Sequence, residues 1–315
     1  MGKYILKRLG QTIIVLVLVT LFVCILMHLL PGDPVTIYLG DTATDESRAY
    51  YTEVFGLDKP VYIQYLKWIG GLFKGEMGKS IVYSKDVSEL IFPKLGTTLS
   101  VVVPAIIFST IIGLILGTIA AMHRSGKLDG IITSCANVGI AMPAFWIGMV
   151  LVFFLAMKLR WLPVQGYKSP FEDFGGYLKR LVMPLIVLSL GQIASMTRQA
   201  RSAVLEVMSS DFVRTAKSKG LKQRTVTYKH ILRNALIPIV TMLGGSIGAM
   251  IGGTVVIESL FVIPGMGSLL LTAITNQDYL VVQNGVLIIA TFVLICNLIV
   301  DLLYGVIDPR IRVNE

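Results

Sequence analysis

Apolar residues along this chain arrive in six long runs parted by polar stretches. The runs cover about 9–30, 98–122, 131–157, 181–196 continuing to 198, 237–262 and 281–306. A helix crosses a bilayer with ~20 apolar residues, more when tilted, and each run falls in or near that range. The pattern predicts an all-α polytopic membrane protein with six transmembrane helices. Pro104, Pro143, Pro184 and Pro238 lie in or at the ends of runs, where neighbouring helices can satisfy the carbonyls a proline frees. Gly113 and Gly117, and the cluster Gly244, Gly245, Gly248, Gly252 and Gly253, supply small residues at helical spacing. Such residues let helices approach closely, either inside the chain or against another one.

The polar stretches organise the chain further. The first run follows Lys3, Lys7 and Arg8 and is too long for a cleaved signal, so it reads as an anchor (1–31) with its N-terminus in the cytoplasm. Residues 32–96 form an extracytoplasmic segment. Within it Pro60 can open a helix, and Tyr62, Tyr65, Trp68, Ile69, Leu72 and Phe73 then share one side, with Lys67 and Lys74 off it. That stripe suits either a helix lying at the membrane interface or one packed inside a small cap. Met77-Gly78-Lys79-Ser80 resembles part of a phosphate-binding loop, but Phe73 stands where that loop needs its first glycine, and no buried strand leads in. The remainder divides into a core over 97–306, with a cytoplasmic loop at 198–236, and a cytoplasmic tail at 307–315.

Hydrophobic residues make up 54% of the 315 and charged ones only 15%. Soluble domains carry about a quarter charged residues, which excludes that class; the mean hydropathy is +0.75. Charge then orients the runs. Residues 198–233 hold nine basic side chains against Glu206 and Asp211, in a loop short enough for the positive-inside rule. Six spans with both termini cytoplasmic keep this loop inside. The connection after the third run dissents mildly, with Lys158, Arg160, Lys168, Lys179 and Arg180 beside Glu172 and Asp173. Because topology accounts for the basic residues, nucleic acid is not expected as a partner. Cys24, Cys135 and Cys296 each fall within a run without metal-ligand spacing and read as small packing residues.

The loop contains Ser210-Asp211-Phe212-Val213-Arg214-Thr215-Ala216-Lys217-Ser218-Lys219-Gly220-Leu221. Asp211 is expected as N-cap, Gly220 as the left-handed residue past the end, and Lys217 and Lys219 as cations favoured by the dipole. Two turns of helix are unstable alone in water, so this one is expected to dock on another protein. Phe212, Thr215, Ala216 and Lys219 share a face by three-and-four spacing.

Thr215-Ala216 followed by Gly220 resembles the EAA loop of ABC importer permeases, with Arg214 where many members have Glu. The resemblance extends through Tyr4-Ile5-Leu6-Lys7-Arg8, Pro31-Gly32-Asp33-Pro34, Gly56-Leu57-Asp58-Lys59-Pro60 and Gly75-Glu76-Met77-Gly78-Lys79-Ser80. It continues in Arg233-Asn234-Ala235-Leu236-Ile237-Pro238, Glu258 to Gly267, and Asp308-Pro309-Arg310-Ile311-Arg312. Order and spacing are similar to the B-type permease of the dipeptide/oligopeptide/nickel branch, with the type I importer fold. A proline following the loop's glycine comes later here than in the family pattern.

The resemblance implies a subunit of the bacterial cell membrane, paired with a second permease, two ABC ATPases and an extracytoplasmic substrate-binding protein. ATP and Mg would sit on the ATPases, with no cofactor on this chain. The loop would be the coupling helix, through Asp211, Phe212, Arg214, Thr215, Ala216, Lys217, Lys219, Gly220 and Leu221. Cargo would be a dipeptide or oligopeptide; nickel, a metallophore or glutathione are alternatives. No nucleophile–base pair, paired carboxylates or metal cluster suggests an enzyme. A secondary transporter should show inverted repeats, which are not apparent.

Asn137, Gln192, Glu258, Asn284, Asn297 and Asp301 are polar residues in or beside apolar runs, where such groups are costly and invite a functional reading. Asn137, Gln192 and Glu258 are candidates for the substrate path. Glu258 fits either a water-filled path or a structural bond to nearby backbone, and Asp301 fits a pairing with an inner basic residue.

Overall fold

The computed structural model describes residues 2–29, 33–40 and 44–307. Parts of two family-like motifs, Pro31-Gly32 and Asp308–Arg312, lie outside the described residues, as does nearly all of the tail. The helices, in order, are α1 (Gly2–Leu29), α2 (Pro34–Leu39), α3 (Asp45–Phe55), α4 (Val61–Phe73), α5 (Val87–Met122), α6 (Lys127–Ala141), α7 (Ala144–Leu151), α8 (Phe174–Met208), α9 (Asp211–Ser218), α10 (Gln223–Thr225), α11 (Arg233–Phe261), α12 (Met266–Thr275) and α13 (Tyr279–Ile307). Two π-helical turns interrupt this series, Val152–Lys158 after α7 and Val226–Leu232 before α11.

Five of these helices are long and apolar enough to cross a membrane. The third expected span, 131–157, exists only as a broken one: α6 and the helix from Ala144 to Lys158 meet at 99°. Pro143 explains the break, since a proline lacks the N–H and pushes the residue before it out of helical geometry. Met142 sits accordingly at φ −81° and ψ 128°.

The chain divides into two compact units. The first comprises Met1–Thr98 with Pro264–Leu294. Its core gathers Met27, Val87, Ile91, Met266, Leu269, Tyr279, Val281 and Val282 from helices far apart in sequence. Polar ties hold it in register: Thr20 Oγ1 lies 3.0 Å from the Tyr65 hydroxyl, and the Met266 N–H donates to Thr98 Oγ1 at 2.8 Å. The expected helix after Pro60 is α4. Its stripe is split: Trp68 is buried, with its indole N–H donating to Asn284 Oδ1 at 3.3 Å, whereas Tyr62 and Phe73 stay exposed. Residues Met77–Ser80 lead into turns closed by a bridge between Lys79 and Asp86 rather than into a helix. Ser80 is anchored there, its hydroxyl donating to the fully buried Asp278 carboxylate at 2.5 Å. The second long helix begins at Val87, well before its apolar run.

The second unit comprises Leu99–Ile263 with Ile295–Glu315. The long helices α5 and α8 touch through glycine. A Cβ on Gly117 would come within 2.5 Å of the Thr197 carbonyl and 2.6 Å of the Ala200 Cβ, and one on Gly113 within 2.6 Å of the Met196 Cβ. That pair therefore serves internal packing. Gly245, Gly252 and Gly253 meet nothing within 4 Å in this chain. Only one of the three cysteines packs as expected: Cys24 is buried, Cys296 is half-buried and Cys135 is exposed.

Candidate functional site

The 35-residue helix α8 stops at Met208, and the chain turns sharply into α9. The Ser209 hydroxyl folds back onto the Glu206 carbonyl at 2.7 Å. Ser210, extended at φ −72° and ψ 147°, is the N-cap residue of α9, and its side chain makes no capping bond. Asp211 is thus the first helical residue and not the cap that its chemistry suggests. It keeps the favourable place at the positive end of the helix dipole, and its carbonyl accepts from Thr215 Oγ1 at 3.0 Å. Serine and aspartate are near-equal caps, so the backbone of the preceding turn decides between neighbours.

The far end closes as expected. Gly220 has φ +73°. The Gly220 N–H donates to the Lys217 carbonyl at 2.9 Å, and the Leu221 N–H to the Ala216 carbonyl at 3.4 Å. Those two bonds form a Schellman motif, which satisfies carbonyls that a helix end would otherwise leave unpaired.

The helix is not free-standing. Val213 and Ala216 are 1% and 6% exposed and join Ala200, Ala203, Val204, Val226, Ile231 and Ala235 in one cluster. So α9 docks first on its own chain, between the end of α8 and the π-helical turn that opens α11. Ala216 therefore points inward and does not share the outward surface with Phe212, as the three-and-four spacing suggested. The remaining predicted residues, Asp211, Phe212, Arg214, Thr215, Lys217, Lys219, Gly220 and Leu221, are all exposed. Phe212, at 46% exposed, stands among cations on a short helix whose inner face is already committed. Arrangements of this kind can be gripped from outside and moved as one piece with the two long helices.

The three substrate-path residues do not form one surface. Asn137 on α6 is exposed, Gln192 on α8 is half-buried, and Glu258 near the end of α11 is 2% exposed. Glu258 contributes backbone as well, its carbonyl accepting from the Ile263 N–H at 2.8 Å where α11 ends. Asn284 is fully buried and structural: its amide donates to the Met77 and Leu280 carbonyls at 3.0 and 2.7 Å.

Sequence reasoning passed over two carboxylates. Asp129, at the start of α6, grips Arg201 of α8 with two bonds of 2.6 and 2.7 Å, and also accepts from the Ser125 N–H at 3.0 Å. The signal available was a lone acid beside the basic turn 123–127. Asp278 carried no signal of its own, because its partner Ser80 lies 198 residues away.

Comparison with known proteins agrees with this architecture. The family model for the binding-protein-dependent transport system inner membrane component matches residues 113–313, and the model for the N-terminal part of that component matches residues 1–102. The chain is 38% identical over 312 residues to the probable peptide ABC transporter permease protein y4tP of Sinorhizobium fredii, covering 99% of this chain and 100% of the relative. It is 37% identical over 315 residues to the oligopeptide transport system permease protein AppB of Bacillus subtilis, covering 99% and 100%. A third relative is the di/tripeptide transport system permease protein DppB of Pseudomonas aeruginosa, at 38% identity over 333 residues and 99% of each chain. Among solved structures, a chain of the inward-facing MetNI methionine ABC transporter superposes with a TM-score of 0.57 at 15% identity, covering 70% of this chain and 97% of that one. At that identity the likeness speaks for the fold alone. On the two matched models and full-length relatives, the chain belongs to the family of binding-protein-dependent transport system inner membrane components, as a multi-pass protein of the bacterial inner membrane.

Proposed function

We propose that this chain is one of two permease subunits of an ATP-driven peptide importer, with α9 as the helix that receives force from an ATPase. The reading rests on a single observation above the others: a two-turn helix capped at its far end, buried on one side by Val213 and Ala216, with Phe212 and a cationic surface left outward. Peptide cargo is supported by the full-length relatives, which are described as peptide, oligopeptide and di/tripeptide permeases.

In this mechanism the loop 198–236 and both termini face the cytoplasm, and 32–96 faces the other side. Two ATPase subunits carry ATP and Mg, a second permease completes the path, and a binding protein delivers cargo. Closure of the ATPases draws the two α9 helices together. Because α9 shares one packed cluster with the ends of α8 and α11, and packed interiors transmit displacement with little compression, the spans above move with it. The chain itself performs no covalent chemistry on the peptide.

The test is reconstitution of the chain with its co-encoded subunits in liposomes and measurement of ATP-dependent uptake of a labelled di- or oligopeptide. Uptake that needs no ATPase would overturn the reading. Orientation is tested by cysteine labelling at Lys79→Cys in a Cys135→Ser background, because Lys79 is exposed whereas Ser80 is buried. Labelling from the cytoplasmic side alone would reverse the topology.

A further inference from the structure

Helices α3 and α4, the turn after α4 and the first turn of α13 surround a cavity of about 730 Å³, all of it within the first unit. That volume is in the range of small-molecule sites. Its charge is unlike that of the segment around it. Residues 34–86 contain seven acids and six bases, close to neutral. Yet four of those bases, Lys59, Lys67, Lys74 and Lys79, line the cavity with a single acid, Glu76. None of the four lysines makes an ion pair among the described residues.

A second observation is independent of charge. Gln283 lines the same cavity, is only 6% exposed, and its side-chain amide has no hydrogen-bond partner among the described residues. Several other polar groups on the wall are committed: the Trp68 indole to Asn284, the Ser80 hydroxyl to Asp278, and the Gln64 amide nitrogen to the Lys59 carbonyl at 2.8 Å. What remains available is weighted toward donors: four ammonium groups and the Gln283 amide N–H, against the Glu76 carboxylate, the Gln283 amide oxygen and the Tyr279 hydroxyl. Phe55, Leu57, Met77 and Leu280 supply apolar wall between them.

We propose that this cavity binds a phosphate oxyanion, with the lysines at its rim and Gln283 beneath them. A phosphate accepts several charge-assisted bonds at once, and the apolar wall suits one borne on a glycerol body better than a bare hydrated ion. Two sources share that chemistry, the headgroup of an anionic phospholipid and a water-soluble phosphate ester.

The full chain in phosphatidylcholine nanodiscs is the starting point. Three probes are titrated while thermal stability is followed: phosphatidylglycerol within the disc, glycerol phosphate in the buffer, and inorganic phosphate in the buffer. Expected is a rise in melting temperature of about 3–6 °C at saturation, with apparent affinity at least tenfold weaker in Lys67→Gln/Lys79→Gln. Both lysines are exposed, so this variant keeps its fold. Gln283→Glu, which places a carboxylate where the phosphate sits, should abolish the shift with every lysine present. A response to phosphatidylglycerol alone assigns the lipid source, and an equal response to either buffer phosphate assigns the soluble one. No response of the parent protein to any probe, or a response unchanged in both variants, overturns the proposal.

Discussion

Arg201 holds Asp129 in a two-pronged grip, Nε to Oδ1 at 2.6 Å and Nη2 to Oδ2 at 2.7 Å, which fastens the start of α6 to the C-terminal part of α8. Thr133 Oγ1 adds a third bond to Asp129 at 3.3 Å. The bond lies seven residues before α8 ends and α9 begins to take form, so it fixes the base from which the short helix projects. Removing one member leaves the other charge without its partner, a costlier change than removing both. Asp129→Leu and Arg201→Leu are each expected to lower the melting temperature in detergent and to reduce uptake severalfold. Combining Asp129→Leu with Arg201→Met should recover stability beyond either single change while uptake stays impaired. A double-variant cycle on melting temperature and uptake checks both statements.

The two glycine groups make opposite predictions. Gly117→Ala places a methyl group 2.5 Å from the Thr197 carbonyl, and neither backbone can yield easily. The expected cost is about 1–3 kcal/mol from overpacking, read as a lower melting temperature of the isolated chain. Gly245→Leu adds bulk where this chain offers no neighbour within 4 Å. It should leave the isolated chain unaffected and reduce co-purification of the second permease, provided that α11 is the face the two share.

The connection before α8 carries an acid-sensitive contact. Lys168 Nζ lies 2.6 Å from the Asp173 carboxylate, and the Gly176 N–H donates to the same group at 2.8 Å. Chiefly the lysine bond, then the backbone bond, holds the Asp173 carboxyl below its ordinary value of 3.8. A depressed folded pKa contributes stability that is present above the unfolded value and lost as pH falls through the folded one. Both side chains are more than 40% exposed, so solvent screens the pair and the effect is small. Asp173→Asn keeps an N-cap but not the charge. Its melting temperature should fall slightly below that of the parent at pH 7, and the gap should narrow as pH falls below 3.8.

Much of this fold can be read from local pattern. Apolar run length and the basic loop depend on nothing beyond neighbouring residues, and the left-handed Gly220 follows from the one residue that enters that region without penalty. What escaped reading joins distant parts of the chain. Trp68 with Asn284, Ser80 with Asp278 and Asp129 with Arg201 are separated by 216, 198 and 72 residues. Periodicity also tells which residues share a face but not which face meets the core. Val213 and Ala216 form one inward pair and Phe212 looks out, although Phe212 and Ala216 are equally good neighbours by spacing. Pro143 was visible as a possible kink, but a bend of 99° depends on what packs around it.

That inward and outward division separates fold from coupling. Val213 is 1% exposed and Phe212 46%. Val213→Ala removes buried methyl groups and should cost about 1–3 kcal/mol, seen as loss of mature protein from the membrane. Phe212→Ala touches little of the chain's own core and should change stability by only about 0.5 kcal/mol. Its effect should appear as peptide uptake reduced at least tenfold with ATP hydrolysis persisting, the signature of a motor that no longer grips its lever. Equal losses of protein level in both variants would mean that Phe212 serves packing alone.

The turn that ends α9 offers a sharper version of the same test, because it separates backbone geometry from side-chain bulk. Nothing lies within 4 Å of a Cβ built on Gly220, and its φ is +73°. Any penalty for substitution is therefore conformational and not steric against neighbours. Non-glycine residues pay about 1–2 kcal/mol in the left-handed region, and asparagine pays least because its short amide bonds locally. Gly220→Asn should retain most uptake. Gly220→Val, with a branched Cβ, should unwind the last turn, losing the bonds to the Lys217 and Ala216 carbonyls and releasing Lys219 and Leu221 from their places. Uptake should then rank Gly, Asn, Ala, Val at position 220 while membrane levels stay equal. A ranking by side-chain volume alone, with alanine above asparagine, would show that this surface must stay small for its partner and that the left-handed turn is incidental.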